Sequence, residues 1–174
     1  MSKKKILTLP DPILRKTSEP VEKIDKKVKN LMDDMLETMY AAPGIGLAAV
    51  QIGILKRIIV IDLSKEGEKK KPIFIVNPEI ISQSSDLVSY EEGCLSIPNQ
   101  FAEVERPNTC KIKFLDYEGN KKELEAKGLL STCIQHEIDH LNGILFIDYL
   151  SKLKKEMIIK KVKKQKKEID RVVV

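Results

Sequence analysis

The sequence predicts an α+β fold, mainly antiparallel sheets packed around a central helix, with a further helix at the C-terminal end. Three observations predict it. β-branched runs separated by polar turns fill the middle of the 174-residue chain. Segments of helical period precede and follow them. No linker or internal repeat interrupts the pattern, so 1–174 is read as one domain, with 150–174 as a lysine-rich helix and tail.

The elements follow in order. "LPDPILRKTSEPVEKI" carries three prolines and reads as an extended arm with one short helical turn after Pro10. Asp25 suits an N-cap, and Val28, Leu31, Met32, Met35, Leu36 and Met39 recur at spacings of three and four. Pro43 and Gly44 stop that helix. "RIIVIDL" (57–63) and "PIFIVNPEII" (72–81) read as strands joined by the hydrophilic loop "SKEGEKKK". "TCKIKFLDYEGNKKELEAKG" (109–128) reads as two strands around Glu118-Gly119-Asn120. After Gly128 the period turns helical through Leu141, with Gly143 as a C-terminal cap. The last 25 residues read as a lysine-rich helix with a fraying end, in which Leu150, Leu153, Met157, Ile158 and Val162 form the packing stripe.

Composition narrows the class. Charged residues make up 33% of the chain, above the ordinary quarter or so, and the net charge of +5 suits an acidic partner without requiring one. Three cysteines, an odd number, argue against a disulfide framework and for a reducing cytoplasm. The basic N-terminus lacks the apolar run and cleavage site of a signal peptide. No apolar stretch reaches the roughly 18 residues of a membrane span. A cytoplasmic monomer without membrane contact is expected.

Both histidines of the chain lie in "CIQHEIDHLNG" (133–143), where His136-Glu137-Ile138-Asp139-His140 makes an H-E-x-x-H pattern. Four residues apart on a helix, two imidazoles share a face and can grip one metal ion, with Glu137 beside them as general base. A catalytic site needs a third protein ligand and an open position. Glu156 and Glu168 sit in lysine-rich surroundings unlike a buried ligand's. Cys133 lies about 7 to 8 Å along the helix axis from the midpoint of the histidines, too far for a metal–sulfur bond of about 2.3 Å. Cys110 sits in an ordinary strand pattern. Cys94, in "YEEGCLSIP", follows a glycine and precedes Pro98, as in a loop or strand end built for a purpose. Local chemistry favours Cys94 as the third ligand, against the alternative of a small buried hydrophobe.

Three blocks together resemble the peptide deformylase family: "GIGLAAVQIG" (44–53), "EEGCLSIP" (91–98) and "QHEIDHLNGILFID" (135–148). The proline-bearing N-terminus and lysine-rich end also resemble its bacterial form, so the likeness covers nearly the whole chain. The resemblance implies a hydrolase that removes the formyl group from the N-terminal formyl-methionine of new polypeptides, releasing formate. It implies Fe2+ as cofactor, one per chain, with Zn2+, Ni2+ or Co2+ as substitutes. It implies Cys94, His136 and His140 as metal ligands in the central helix and its neighbour. Water activated at the metal would attack the formyl carbon, with Glu137 as general acid/base. The Gln51 amide and the Leu95 main-chain N–H would stabilise the oxyanion, and the Gly46 main chain would contact substrate. Asn99 and Phe101 follow no strict pattern.

Two other readings compete. A metallopeptidase would take histidine or glutamate as its third ligand, which Cys94 argues against. A nucleic-acid or ribosome-binding protein with a structural metal would need four protein ligands. Ribosome docking through the basic C-terminal helix is nonetheless compatible with the enzyme, whose substrate emerges there.

Overall fold

β2 (Ile58–Ile61) is apolar at every position and fully buried, because both its faces are covered. It belongs to a five-stranded sheet in the computed structural model, which describes residues 2–172. The order is β1 (Gly46–Ala48), β2, β3 (Ile73–Gln83), β6 (Thr109–Leu115), β7 (Lys121–Lys127), and every pairing is antiparallel. β4 (Leu87–Cys94) and β5 (Ile97–Pro107) form a separate two-stranded ribbon.

Strand alternation sorts the core into two layers. Ile58 and Val60 face α1 (Lys26–Ala41), against Met32, Met35 and Met39. Ile59 and Ile61 face α2 (Leu129–Leu141), against Ile134, Ile138 and Leu141. A third cluster joins Leu9 and Leu14 of the N-terminal arm to Ile97 and Val104 of β5, Phe146, and Ile158 and Val162 of α3 (Lys152–Val172). α2 therefore lies between the sheet and the ribbon, and ten of its thirteen residues are buried. A helix hydrophobic or buried on all sides is a core helix, and this one carries both histidines.

The expected α+β class is the one observed. The Asp25 side chain accepts from the Val28 N–H at 3.0 Å and starts α1. Pro12–Arg15 is a short 3-10 turn, its first free N–H capped by Asp11. Gly143 takes the left-handed conformation (φ 73°) just beyond α2.

Of the two settings expected for Cys94, a loop or a strand end, the structure has the strand end: Cys94 closes one strand of a long ribbon. The polar alternation of that ribbon hid it, because one face is open to solvent and the other buries charged side chains. Gln51 lies on a 3-10 turn (Ala49–Ile52) and is buried. One reading needs correction: in α3, Ile158 and Val162 are buried but Leu153 and Met157, expected in the same packing stripe, are exposed. The face that packs is set by where the helix lands on β5 and Phe146, not by the longest apolar stripe. The expected fraying end falls in part on residues 173–174, outside the described residues.

Candidate metal centre and active site

α2 presents His136 and His140 one turn apart toward the ribbon, where β4 ends at Cys94. One ligand atom from each of Cys94, His136 and His140 lies within 4.8 Å of the others. The Cys94 Sγ is 3.3 Å from His140 Nε2. Cys133 and Cys110 are buried in the sheet-facing cluster; Cys133 also lines the cavity, but neither belongs to the ligand group.

The imidazoles are held from behind. His136 Nδ1 is 2.8 Å from Glu92 Oε1, which leaves Nε2 for the site. Phe146 stacks on the His136 ring at 6.2 Å. Glu92 in turn accepts two hydrogen bonds from Arg106, at 2.7 and 2.9 Å. Arg106 also donates to Asp139 at 2.8 Å and lies over the Tyr149 ring, whose hydroxyl donates to Asp139 at 2.7 Å. Arg106 and Glu92 are both buried, so this is a desolvated ion pair with nearly every donor satisfied. Burial would raise the Glu92 carboxyl, but His136 and Arg106 outweigh it and hold it low.

Electrostatics separate the two histidines. Burial alone would lower His136, but its contacts with Cys94 and Glu92 raise it well above the usual range. Burial and the charge of His136 push His140 well below that range. A thiol or thiolate and two imidazoles facing one another at this distance fit a borderline divalent cation. The set matches the ligand types of zinc and first-row metals.

Beside the trio, the Glu137 carboxyl is buried, and its Oε2 has no partner among the described residues. Burial, the largest influence, pushes it up to about 7. A carboxyl poised near neutrality suits a general base. Gly46 of β1 makes room for it: a Cβ there would sit 2.6 Å from Glu137 Oε1 and 3.1 Å from Cys133 Sγ.

Gln51 is buried, with its orientation fixed. Its Oε1 accepts from the Ala48 N–H at 2.9 Å, while Nε2 donates to Ser96 Oγ at 3.0 Å and faces Cys94 Sγ at 3.6 Å. Leu95 follows Cys94 in the turn between the ribbon strands. Gly44 meets it, since a Cβ at Gly44 would lie 2.6 Å from Leu95 Cδ1. All seven residues singled out in the sequence thus converge. Every one except His140 lines a single cavity of about 460 Å³. Sequence reasoning missed Glu92, Arg106, Asp139 and Tyr149. The acids before Cys94 were a signal, but nothing local showed that Glu92 points inward and Glu91 outward.

Comparison with known proteins adds a family. Residues 3–156 match the family model described as polypeptide deformylase. A peptide deformylase of Pelagibacter ubique is 63% identical over 167 residues, covering 95% of this chain and 96% of that protein. One from Phenylobacterium zucineum is 59% identical, covering 96% and 99%. Among solved structures, a peptide deformylase from Ehrlichia chaffeensis superposes with a TM-score of 0.92 at 45% identity, covering 96% of this chain and 98% of that one. A complex of the enzyme from that organism with actinonin gives 0.91 at 47%, covering 95% and 98%.

Proposed function

The chain belongs to the polypeptide deformylase family, enzymes that hydrolyse the N-terminal formyl group from new polypeptides, and on that premise we propose how its own residues carry out the reaction. The observation that carries the reading is the convergence of Cys94, His136 and His140 beside the unpartnered Glu137 carboxyl in one cavity.

Cys94, His136 and His140 hold one divalent ion, Fe2+ in the cell, with Zn2+, Ni2+ or Co2+ as substitutes. When bound, such an ion supplies Lewis acidity that lowers the pKa of water toward neutrality and polarises a carbonyl. Glu137 takes the proton of the attacking water and later delivers it to the departing amine, the exchange its raised pKa suits. Negative charge develops on the formyl oxygen, where the Gln51 amide and the Leu95 N–H donate. Such preorganised donors are typically worth roughly 3 to 4 kcal/mol each. Gln51 needs no reorientation, because Ala48 and Ser96 already fix it. The Gly46 main chain, in the cavity lining beside Glu137, contacts the peptide.

The protein acts as a cytoplasmic monomer and as one domain over 1–174. α3 recruits it to the ribosome: nine lysines and one acid lie between Lys152 and Lys167, a face suited to RNA phosphates. No described helix is long and apolar enough to cross a membrane.

The decisive experiment is Glu137→Gln, with metal content and turnover of formyl-Met-Ala-Ser measured on the same preparation. Metal is expected to stay at one per chain while turnover falls by about a hundredfold or more. Near-normal turnover in the metal-loaded variant would refute the assignment. Cys94→Ser is expected to lose metal or activity, whereas Cys133→Ser and Cys110→Ser keep metal.

A further inference from the structure

The two oxyanion donors come from different sheets. Gln51 follows β1 of the five-stranded sheet, and Leu95 lies in the turn of the ribbon. Among the described residues no strand ladder joins those sheets, so sheet pairing does not set the distance between the donors. The formyl oxygen nevertheless has to meet both at once, and a catalytic constellation tolerates errors of only about 0.5 Å.

The N-terminal arm crosses this gap. The Leu7 N–H donates to the Gln51 carbonyl at 2.7 Å, and the Leu9 N–H donates to the Ser96 carbonyl at 2.9 Å. Residues two apart on an extended segment present their main-chain groups to the same side, so one edge of the arm holds both donor segments. Ser96 directly follows Leu95 and is fully buried. Its hydroxyl accepts from Gln51 Nε2 at 3.0 Å. A side-chain amide carries two N–H hydrogens. With one engaged by Ser96, the other is left for the cavity, where Nε2 lies 3.6 Å from Cys94 Sγ. The arm is tied to the core beyond this point. Leu9 and Leu14 are buried with Ile97 and Phe146, and the Ser18 N–H donates to the Leu141 carbonyl at the end of α2 at 2.8 Å.

We propose that the arm is a positioning strap: the main-chain N–H groups of Leu7 and Leu9, together with the Ser96 hydroxyl, fix the spacing and aim of the two oxyanion donors. None of the three touches substrate. They act through Gln51 and Leu95, and the strap rests on the oxyanion role given to those residues above.

The test removes the strap's hydrogen bonds one at a time. Replacing Leu7 or Leu9 by its α-hydroxy acid turns the N–H into an ester oxygen and keeps the side chain. Ser96→Ala removes the acceptor for Gln51. Turnover of formyl-Met-Ala-Ser and metal content are measured on each metal-loaded protein. Each change is expected to lower kcat by roughly three- to tenfold, with KM within about twofold and metal at one per chain, because the donors act only in the transition state. On a Gln51→Ala background, the Leu7 ester and Ser96→Ala are expected to cost less than about twofold more, since the group they aim is gone. Should an ester variant fail to fold, Ser96→Ala with its Gln51→Ala cycle carries the test alone. Unchanged kcat in Ser96→Ala and the esters would overturn the strap and leave the deformylase reading standing. Losses that multiply fully on the Gln51→Ala background would show that the arm acts through general packing, and would also overturn it. Full turnover in Gln51→Ala itself would sink the oxyanion assignment and the strap with it.

Discussion

Gly46 and Glu137 divide one small volume between them. The glycine lacks a side chain where the carboxyl needs its space, so a conservative change is expected to be severe. In Gly46→Ala the new methyl meets Glu137 Oε1 at 2.6 Å and must displace it. A misplacement of about 1 Å in a catalytic group can lower the rate by about a hundredfold. Metal content should remain near that of the unmodified protein, because the atoms nearest the added methyl belong to Glu137 and Cys133, not to the ligand trio. Rates and metal analysis on one preparation check this; full activity would mean that Glu137 relocates freely. Glu92 acts through His136, whose Nδ1 is 2.8 Å from its Oε1. Glu92→Gln keeps the shape but removes the charge behind His136 and leaves Arg106 with a weaker partner. A loss of metal affinity of roughly 10- to 100-fold is expected, read by chelator competition.

Among elements, α3 separates packing from recruitment. Ile158 and Val162 seal the cluster that includes Phe146, and Phe146 stacks on His136. Ile158→Ala is expected to lower stability by roughly 2 to 4 kcal/mol, whereas Leu153→Ser, at an exposed site, should stay within about half a kcal/mol. Urea midpoints distinguish the two. Changing Lys160, Lys161, Lys163 and Lys164, all exposed, to Glu should weaken ribosome co-sedimentation at low salt and leave hydrolysis of a short formyl-peptide almost unchanged. Unaltered co-sedimentation would reduce α3 to a packing helix. The ribbon carries the opposite lesson. Its inward face holds Glu92 and Arg106 and its outward face Glu91 and Glu103. No simple apolar–polar alternation marks it as a strand pair, so its sequence signals only the segment around Cys94.

Across the whole molecule, Asp148 ties the N-terminal arm to α3. It accepts from Arg15 at 2.6 and 3.1 Å and pairs with Lys155 at 2.8 Å. Burial would raise its carboxyl, but Arg15 and Lys155 outweigh burial and hold it at about 2, against an ordinary 3.8. The folded state therefore binds this proton less readily than the unfolded chain. The resulting stability is complete above about pH 4 and is lost as pH falls toward about 2. Solvent screening at this partly exposed pair leaves its contribution at roughly 1 kcal/mol. Asp148→Asn should lack that share of the acid dependence, seen as a smaller change in urea midpoint between pH 4.5 and 2.5. An unchanged acid limb would place the dependence on other carboxyls, Glu92 foremost.

Local sequence was sufficient for the helix boundaries at Asp25, Gly128 and Gly143, because caps and glycines act within a few residues. It was sufficient for the H-E-x-x-H face, since four residues on a helix have one geometry. The blocks around Gly46, Gln51, Cys94 and Leu95 were legible as motifs and carried the family resemblance. Their meeting place was not contained in local chemistry, because Gln51 and Cys94 approach only when β1 and the ribbon close over α2. Tertiary structure alone decided that Glu92 turns inward to His136 while Glu91 turns outward, since alternation fixes opposite faces but not which one is covered. It decided also that Ile158 and Val162, rather than Leu153 and Met157, seat α3. An amphipathic helix offers several apolar faces, and burial goes to the one its partners can fill.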